Sequence, residues 1–373
     1  MRIHLAIYHP KHAGILSAAL TLKAEKIILL HRSEDEIAGI RSVIQSRGMQ
    51  CEVQEVTFDT QLVREQFASI IEQYQSSELV FNASSGYQKL NLLGFEQFSN
   101  YGYPVFLVDK FTDELHWLNT RSTNSDIHLD HQLKIHECLK SFNTMVLEQG
   151  HSTPEPAASR QLTQWIIDHI GEYDQAIGSL NYMAMMANNS HSYELSNQEM
   201  KKHKLAHLLE HFRDAGKLTL RGRKLKFNDD NARFYCNGGW LENHVFALLY
   251  GIRGKRSHIT DIARGLQIVR HNGRVKNELD VVAMSHNRLH IIECKTRRFS
   301  KSKAETTSAS SAIYRLDTIK SITGGLSGRA MLISYQPLNK YLLSRAKDLG
   351  IYCCSHMQLK QLDRHLYHFF DNP

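Results

Sequence analysis

The chain has 373 residues, 42% hydrophobic and 22% charged, with a formal net charge of +7. This length predicts two or three domains, and the composition is that of an ordinary globular protein. No apolar run is long enough to span a membrane, and polar residues soon follow the apolar start, so no signal peptide is expected. The six cysteines show no CxxC pair or zinc spacing, which predicts reduced thiols in a cytoplasmic protein. The basic balance permits nucleic-acid binding but does not identify it.

Short apolar strands alternate with helical segments over the first 120 residues. Strands are predicted at 3–8, 26–31, 52–58, 79–82 and 104–108, with helices at 13–22, 34–46, up to about 74, and 88–98. Such repetition predicts a parallel sheet covered by helices on both faces. After a turn, residues 114–118 are predicted to add an antiparallel edge strand.

Two loops of this region occupy the place where open parallel sheets bind ligands, beyond the carboxyl ends of the strands. Small residues there let the backbone approach a ligand, helix N-termini favour a phosphate, and Lys89 adds positive charge. Neither loop contains GxGxxG, which disfavours a dinucleotide cofactor. Simple strand-to-helix turns are the alternative. The candidate ligand residues are His9, Pro10, Lys11, His12, Ala13, Gly14, Asn82, Ser84, Ser85, Gly86 and Lys89.

The middle of the chain begins with a linker at 149–158, where Gly, Pro, Ser and Thr cluster. A helical region follows to about residue 214. Two short strands at 217–220 and 224–227 then form a basic hairpin through the turn 221–223. Helices followed by such a hairpin indicate a winged-helix-like module. A plain helical connector is an equally open alternative.

The strongest chemical pattern lies in two apolar runs that are separated by a short polar turn. Asp280 opens the first run, and the second ends in Glu293-Cys294-Lys295. The two carboxylates can hold a divalent cation through hard oxygen ligands. Strand alternation places Glu293 and Lys295 on one face, where the lysine can orient a water for attack on a phosphodiester. The alternative is an ordinary hairpin with solvated charges.

The flanking segments complete a known pattern. A helix from about 238 carries Glu242, and a helix at 312–319 leads into a strand at 330–334. The order resembles the PD-(D/E)xK nuclease core. This resemblance implies catalytic roles for Glu242, Asp280, Glu293 and Lys295. It also implies a Mn²⁺ or Mg²⁺ ion held by Asp280, Glu293 and the backbone carbonyl of Cys294.

Further charged residues surround this pattern. Glu278 lies two residues before Asp280 and is a candidate third acid on the same strand face. The segment 296–311 is predicted to be a mobile loop. Its basic residues are predicted to contact backbone phosphates, or else to form a solvated charge run. They are Arg297, Arg298, Lys301 and Lys303.

The second ligand loop also resembles a family signature. Residues 82–89 read Asn-Ala-Ser-Ser-Gly-Tyr-Gln-Lys, similar to the loop of CARF domains, which sense cyclic oligoadenylates in type III CRISPR immunity. Ser85 and Tyr87 depart from that signature. The chain as a whole resembles Card/Can-type effectors. The resemblance implies a CARF domain at 1–148, a helical, winged-helix-like linker at 149–236 and a PD-(D/E)xK domain at 237–373.

This resemblance implies a function and several partners. The protein would be a homodimeric, metal-dependent nuclease that a cyclic oligoadenylate activates, with cyclic tetra-adenylate as the expected ring. Its substrates would be single-stranded RNA or DNA, with duplex DNA as a further possibility, and no membrane would be involved. One alternative is a nucleotide-sensing transcriptional regulator with an inactive nuclease-like domain. A constitutive restriction-type endonuclease is another, but it leaves the first domain unexplained.

Overall fold

The computed structural model describes residues 1–12, 14–109, 111–119, 126–130, 132–270, 273, 276–297 and 303–372, with the side chains of all these except 303–309. Three residues named above, Ala13, Arg298 and Lys301, lie outside the described residues. Lys303 is described only in its backbone. Within these ranges, no helix is both long enough and apolar enough to cross a membrane.

A seven-stranded sheet forms the centre of the first domain. Along the chain its elements are β1 (Arg2–Ile7), α1 (Ile15–Thr21), β2 (Lys26–His31), α2 (Ala38–Ser46), β3 (Gln50–Glu55), α3 (Thr60–Gln73), β4 (Glu78–Asn82), α4 (Gln88–Asn100), β5 (Val105–Asp109), β6 (Glu114–Trp117) and β7 (Ile127–His128). The strand order is β3-β2-β1-β4-β5-β6-β7. Strands β1 to β5 are parallel, and β6 and β7 are antiparallel. The predicted parallel sheet and its antiparallel edge are confirmed.

Two short elements connect the first domain to the rest: α5 (Ile135–Ser141) and β8 (Thr144–Glu148). Helix α5 is fastened to the end of α2 by an ion pair, in which Nη2 of Arg47 lies 2.7 Å from Oε2 of Glu137. The same carboxylate accepts a hydrogen bond from the backbone N–H of Lys134 at the start of α5. One carboxylate thus joins the start of α5 to the end of α2.

The middle region contains helices and a small sheet. Its elements are α6 (Ala157–Asp168), α7 (Asp174–Met186), β9 (Ser192–Glu194), α8 (Asn197–Met200), α9 (His203–Asp214), β10 (Leu218–Arg221) and β11 (Lys224–Phe227). The three strands are antiparallel in the order β10-β11-β9. The helices precede the β10–β11 hairpin, and the earlier strand β9 pairs with β11. This is the predicted winged-helix-like arrangement.

A six-stranded mixed sheet dominates the C-terminal part. Its elements are α10 (Asp230–Phe234), α11 (Trp240–Arg253), β12 (Ile259–Arg270), β13 (Lys276–Ser285), β14 (Arg288–Lys295), α12 (Lys303–Gly324), β15 (Arg329–Ser334), α13 (Lys340–Asp348), β16 (Ile351–Ser355) and α14 (Leu362–Asp371). The order is β16-β15-β14-β13-β12-β8. A π-helical turn joins α10 to α11. One 3₁₀ turn (Gly325–Ser327) precedes β15, and another (His356–Gln361) precedes α14. The predicted antiparallel pairing of β13 and β14 is present.

Three details differ from the sequence prediction. Strand β8, which lies within the range predicted for the first domain, pairs with β12 in the second sheet. The predicted nuclease core lacked β12, because Gly265 and an irregularity after Ile259 interrupt its alternation. The predicted loop at 296–311 is helical from Lys303 onward. Its polar composition hides that helix, because the apolar face that anchors it comes later in the segment.

The two sheets share part of one hydrophobic core. Ile15 of α1 and Ile44 of α2 belong to the same buried cluster as Val282 of β13 and Leu316 of α12. A second large cluster joins the winged-helix-like region to the other face of the second sheet. The first domain and the second sheet are therefore packed against each other through a continuous apolar interior.

Candidate active site and ligand cavity

Three of the predicted catalytic side chains meet at the adjoining strands β13 and β14. Nζ of Lys295 lies 2.5 Å from Oε1 of Glu293 and 3.8 Å from Oδ2 of Asp280. The backbone N–H of Cys294 donates to the same oxygen of Asp280 at 2.8 Å. Both carboxylates are buried. The hairpin therefore brings together the acid, acid and lysine that the sequence pattern predicted.

Burial and crowding set the protonation of this cluster. Burial, together with the charge of Glu293, raises the pKa of Asp280 to about 7. Burial works against the charge of Lys295, but the two carboxylates outweigh it and raise the pKa of this ammonium. The lysine is therefore a cation that partly neutralises two crowded acids.

Glu242 approaches the cluster from α11. Burial and the charges of Asp280 and Glu278 raise its pKa well above the usual range. Its Oε2 is buried without a hydrogen-bond partner among the described residues. An unpaired buried oxygen is costly unless another group satisfies it. Glu278 is itself exposed, close enough for its charge to influence the two buried acids.

A glycine allows the start of α11 to approach β14. Gly238 has a φ of 110° in the turn before α11, a conformation that L side chains rarely adopt. A β-carbon at this position would collide with Oγ1 of Thr296, the residue after Lys295. The close approach brings the first turn of α11, with Glu242, beside the end of the catalytic strand.

Two arginines in this neighbourhood were missed by the sequence analysis. Nη2 of Arg315 on α12 lies 3.3 Å from Oε1 of Glu293. Arg264 on β12 is buried, and the charges of Glu242 and Glu278 act on it. The helix that carries Arg315 was predicted, but its rotation against the sheet was not. Strand β12 was not recognised, so Arg264 had no place in the prediction.

The donor set can be compared with the needs of a divalent cation. Within the described residues, no three His, Cys, Asp or Glu side chains form a ready metal site. Asp280 and Glu293 nevertheless supply hard anionic oxygens, and Glu242 has an unsatisfied one. Mg²⁺ is commonly held by one or two carboxylates while it keeps several waters. The residues therefore fit Mg²⁺ or Mn²⁺, while the role of the Cys294 carbonyl stays a prediction.

The two predicted ligand loops of the first domain are in contact. Nδ2 of Asn82 donates to the carbonyl of Gly14 at 3.1 Å, and its Oδ1 accepts from the backbone N–H of Ser84 at 3.0 Å. Oγ of Ser84 in turn accepts from the N–H of Val108 at 2.9 Å. Asn82 and Ser84 thereby tie the loop after β1 and the ends of β4 and β5 into one rim.

A cavity of about 340 Å³ opens beside this rim, between the first domain and the second sheet. The predicted ligand residues that line it are Lys11, His12, Gly14 and Ser84. The opposite wall comes from the β13–β14 turn and from the 3₁₀ turn after α12, with His286, Asn287, Arg288, Leu326 and Ser327. The ligand loops thus face the turn of the hairpin that carries the catalytic cluster.

The other predicted ligand residues that the structure describes are placed differently. His9 stacks on His12 with ring centroids 4.0 Å apart and meets the ring of Tyr87 at 4.7 Å. Nζ of Lys89 donates to the carbonyl of Phe58 at 2.6 Å. Ser85 is buried, and Gly86 packs on Ile7 at a φ of 108°. His9, Pro10, Ser85, Gly86 and Lys89 do not line the cavity.

The residues of the catalytic pattern lie in a segment that matches a known protein family. Residues 229–372 match the profile of the Card1-like endonuclease domain. No curated protein matches the chain by sequence. The fold is similar to that of protein VC1899 from Vibrio cholerae, with 26% identity and a TM-score of 0.88 over 100% of this chain and 98% of that one.

Two further solved structures have the same fold. Can2 from Sulfobacillus thermosulfidooxidans, solved with cyclic tetra-adenylate, is 23% identical, with a TM-score of 0.82 over 99% of both chains. A type III CRISPR defence DNA nuclease activated by cyclic oligoadenylate is 13% identical, with a TM-score of 0.58 over 98% of this chain and 51% of that one. The resemblance to Card/Can-type CARF effectors is thereby confirmed: the C-terminal part matches the Card1-like endonuclease domain, and the whole chain has the Can2 fold.

Proposed function

We propose that this protein is a metal-dependent endonuclease of type III CRISPR antiviral defence, activated by a cyclic oligoadenylate. The observation that carries the proposal is the buried cluster of Asp280, Glu293 and Lys295 inside a domain that matches a Card1-like endonuclease. An inactive nuclease-like domain in a transcriptional regulator would have no need to keep these three side chains together. Similarity to the cyclic tetra-adenylate-bound Can2 supports the activator.

Asp280 and Glu293 would hold the cation, Mn²⁺ or Mg²⁺, with the Cys294 carbonyl as a further ligand. A bound divalent cation lowers the pKa of water and stabilises charge on a phosphate. Lys295 would orient the attacking water and stabilise developing charge, a role supported by the position of its ammonium beside both carboxylates. Glu242, whose buried oxygen lacks a partner, would bind a second ion or position a water.

The activator would bind at the rim formed by the two ligand loops. A helix begins at the end of each loop, and its N-terminal N–H groups favour a phosphate, to which Lys11 adds positive charge. A cavity of about 340 Å³ is at the small end of ligand sites. Each protomer would therefore hold part of the ring. A two-fold symmetric cyclic tetra-adenylate across the axis of a homodimer would meet the same loops twice.

The contacts between the domains offer a route for activation. The side chain of Asn287, in the β13–β14 turn, accepts from the N–H of Leu133 and donates to Oδ2 of Asp113, both at 2.9 Å. In a second contact between the domains, the N–H of Leu326, in the turn after α12, donates to the carbonyl of Lys11 at 2.9 Å. Lys11, Asp113 and Leu133 all line the cavity, so a ligand that moves Lys11 would act on the turn after α12, and one that moves Asp113 or Leu133 would act on the β13–β14 turn. The ligand can raise the population of the active state only to the extent that it binds that state more tightly than the inactive state.

A cleavage assay tests this proposal. The purified protein is incubated in the presence of Mn²⁺, Mg²⁺ or EDTA with labelled single-stranded RNA, single-stranded DNA and supercoiled duplex DNA. Each reaction is run with cyclic tetra-adenylate, with cyclic hexa-adenylate and without activator. We expect single strands to be cut only when metal and activator are both present, and nicking of the duplex is scored as a separate readout. Equal cleavage without activator would favour a constitutive nuclease, and no cleavage in any arm would refute the proposal.

A further inference from the structure

A cleft runs along α7 next to the exit of the catalytic strand. Its nearer part, of about 440 Å³, is lined by residues of α7 that include Ser179, Tyr182 and Met185, and by Arg297 from the segment after β14. A second cavity of about 550 Å³ shares Ser179 and continues toward the start of α9. The two cavities together form one path along a single helix, which we call the α7 cleft.

The α7 cleft is joined directly to the candidate active site. Thr296 lies between the catalytic Lys295 and the cleft residue Arg297, and its Oγ1 is 3.0 Å from the side-chain amide of Asn181 on α7. This buried contact fixes the distance between α7 and the end of β14. The guanidinium of Arg297 also contacts Oδ1 of Asn237 at 3.4 Å, before α11. A chain that leaves the active site on this side meets Arg297 first.

The side chains of the α7 cleft suit alternating phosphates and bases. Tyr182 and Met185 leave apolar surface exposed on α7, and a tyrosine face accepts any base by stacking. Arg297 lies at the end nearest the active site, and Lys202 and Lys204 at the other. Three acids, Asp174, Glu172 and Glu199, also border the cleft. Asp174 accepts from the N–H of Gly171 and lies 3.5 Å from Nε2 of His356, and Glu199 accepts from the N–H of Ser196 and the hydroxyl of Tyr193. The phosphate contact is therefore assigned to Arg297, at the end of the cleft next to β14.

We propose that a single polynucleotide strand, the substrate of the proposed nuclease, lies in the α7 cleft, with a phosphate on Arg297 and a base stacked on Tyr182. The inference rests on the proposed function. Stacking is tolerant of sequence because every base has a π face. Electrostatic contact with the backbone carries no base readout. The cleft would therefore supply affinity for single strands and not cleavage-site preference.

Steady-state cleavage of a labelled single-stranded oligonucleotide, at saturating activator and metal, tests this inference. Tyr182→Ala should raise KM about 5- to 150-fold and leave kcat near the wild-type value, because stacking contributes equally to the bound substrate and its transition state. Tyr182→Phe should restore KM, since the ring and not the hydroxyl is used. Arg297→Ala should reduce the salt slope of binding by about 1.

A matched control is available in the first domain. Tyr101 follows α4 and is 49% exposed, as is Tyr182, so Tyr101→Ala removes an equally exposed ring far from the cleft and should leave KM unchanged. An abasic oligonucleotide that lacks the base stacked on Tyr182 should have a higher KM with the wild-type protein. The increase should match the one that Tyr182→Ala causes with an intact oligonucleotide. The same abasic position should add no further effect in the variant.

The outcomes separate the two proposals. If the wild-type protein cleaves and both Tyr182→Ala and every abasic substrate keep the wild-type KM, the α7 cleft does not hold the strand. The nuclease proposal then stands. If the wild-type protein cleaves no nucleic acid with any activator, the proposed function fails first. The abasic substrates keep the test decisive even if Tyr182→Ala folds poorly.

Discussion

Arg315 and Glu293 form an ion pair across the face of the catalytic sheet, with Nη2 of the arginine 3.3 Å from Oε1 of the glutamate. The same oxygen lies 2.5 Å from Nζ of Lys295. Two cations therefore share one oxygen of a proposed metal ligand. The helix that carries Arg315 leads to Leu326, whose N–H donates to the carbonyl of Lys11 in the ligand loop. The pair links the proposed metal ligand Glu293 to the helix whose following turn contacts the predicted ligand loop.

Removing this arginine should strengthen metal binding. In Arg315→Ala, a cation that competes for Glu293 is lost, so the apparent affinity for Mn²⁺ should rise about 2- to 5-fold; the arginine is half exposed, and exposed pairs are weak. Titration calorimetry with Mn²⁺ measures this. Arg345→Ala is the control, because Arg345 lies over the ring of Tyr314 on the neighbouring surface. Weaker Mn²⁺ binding in Arg315→Ala would show that the guanidinium supports the site instead of competing for it.

The two carboxylates should be indispensable to cleavage. Asp280→Asn and Glu293→Gln keep the size of each buried side chain but remove the charge that holds a hard cation. Each should lower the cleavage rate by about 100-fold or more while activator binding is retained. Rates are compared by single-turnover cleavage, and activator affinity by calorimetry. Asp317→Asn on α12, whose carboxylate pairs with Lys320 and not with a residue of the cluster, is the control. Wild-type rates in either Asp280→Asn or Glu293→Gln would overturn the assignment.

The contact between Asn287 and Asp113 offers a reciprocal test of the coupling. Asn287→Asp keeps the shape of the turn residue, whose φ is 52°, and the acceptor for Leu133. It removes the donor to Asp113 and places a second carboxylate 2.9 Å away. Stimulation by the activator should fall, and the free energy of unfolding should drop by about 1–3 kcal/mol.

Exchanging the two residues should restore the contact. In the double variant Asn287→Asp with Asp113→Asn, the amide and the carboxylate change places and the hydrogen bond can form again. Activator-stimulated cleavage and thermal unfolding should both return toward wild type. If the double variant is as poorly stimulated as the single one although its stability recovers, this contact does not transmit activation.

The pair that fastens α5 to α2 should make stability depend on pH. Burial opposes the charge of Glu137, but Arg47 and the N–H of Lys134 outweigh it and lower its pKa. A lowered pKa contributes stability that is present above the pKa of the unfolded chain, about 4.3, and is lost as the pH falls through the folded value.

Glu137→Gln removes this contribution. Its free energy of unfolding should be about 1–2 kcal/mol below wild type at pH 7, and the difference should shrink as the pH falls toward 3, where both side chains are neutral. Urea unfolding at a series of pH values measures the difference. The exposed Glu65→Gln is a control with little expected effect. A difference that stays constant down to pH 3 would show that the loss is due to packing and not to the charge.

Much of the architecture could be read from local patterns. The alternation of apolar strands and helices predicted the parallel sheet, because strands buried on both faces are continuous apolar runs. The pair Asp280 and Glu293-x-Lys295 could be placed on one hairpin, because side chains alternate along a strand and the turn between the strands is short. The basic hairpin after the helical region was likewise predicted from its composition.

Long-range packing could not be predicted from such local patterns. Strand β8 pairs with β12, far away in the sequence, and no local signal names a partner for a short strand. Lys89 was expected at the ligand, but its ammonium contacts the carbonyl of Phe58, because side-chain direction depends on neighbouring loops. Arg315 and the α7 cleft were missed since they depend on the way in which helices rotate and pack.

The sequence by itself determined the fold class and the hairpin that carries Asp280, Glu293 and Lys295, and it predicted the two ligand loops, because hydrophobic periodicity and spacing act over a few residues. The tertiary structure alone decided that the ligand loops face the turn of the catalytic hairpin, that α12 places Arg315 on Glu293, and that α7 borders the exit of β14. These relationships arise from burial of apolar surface between distant segments. That force is non-directional and leaves no mark at any single position of the chain.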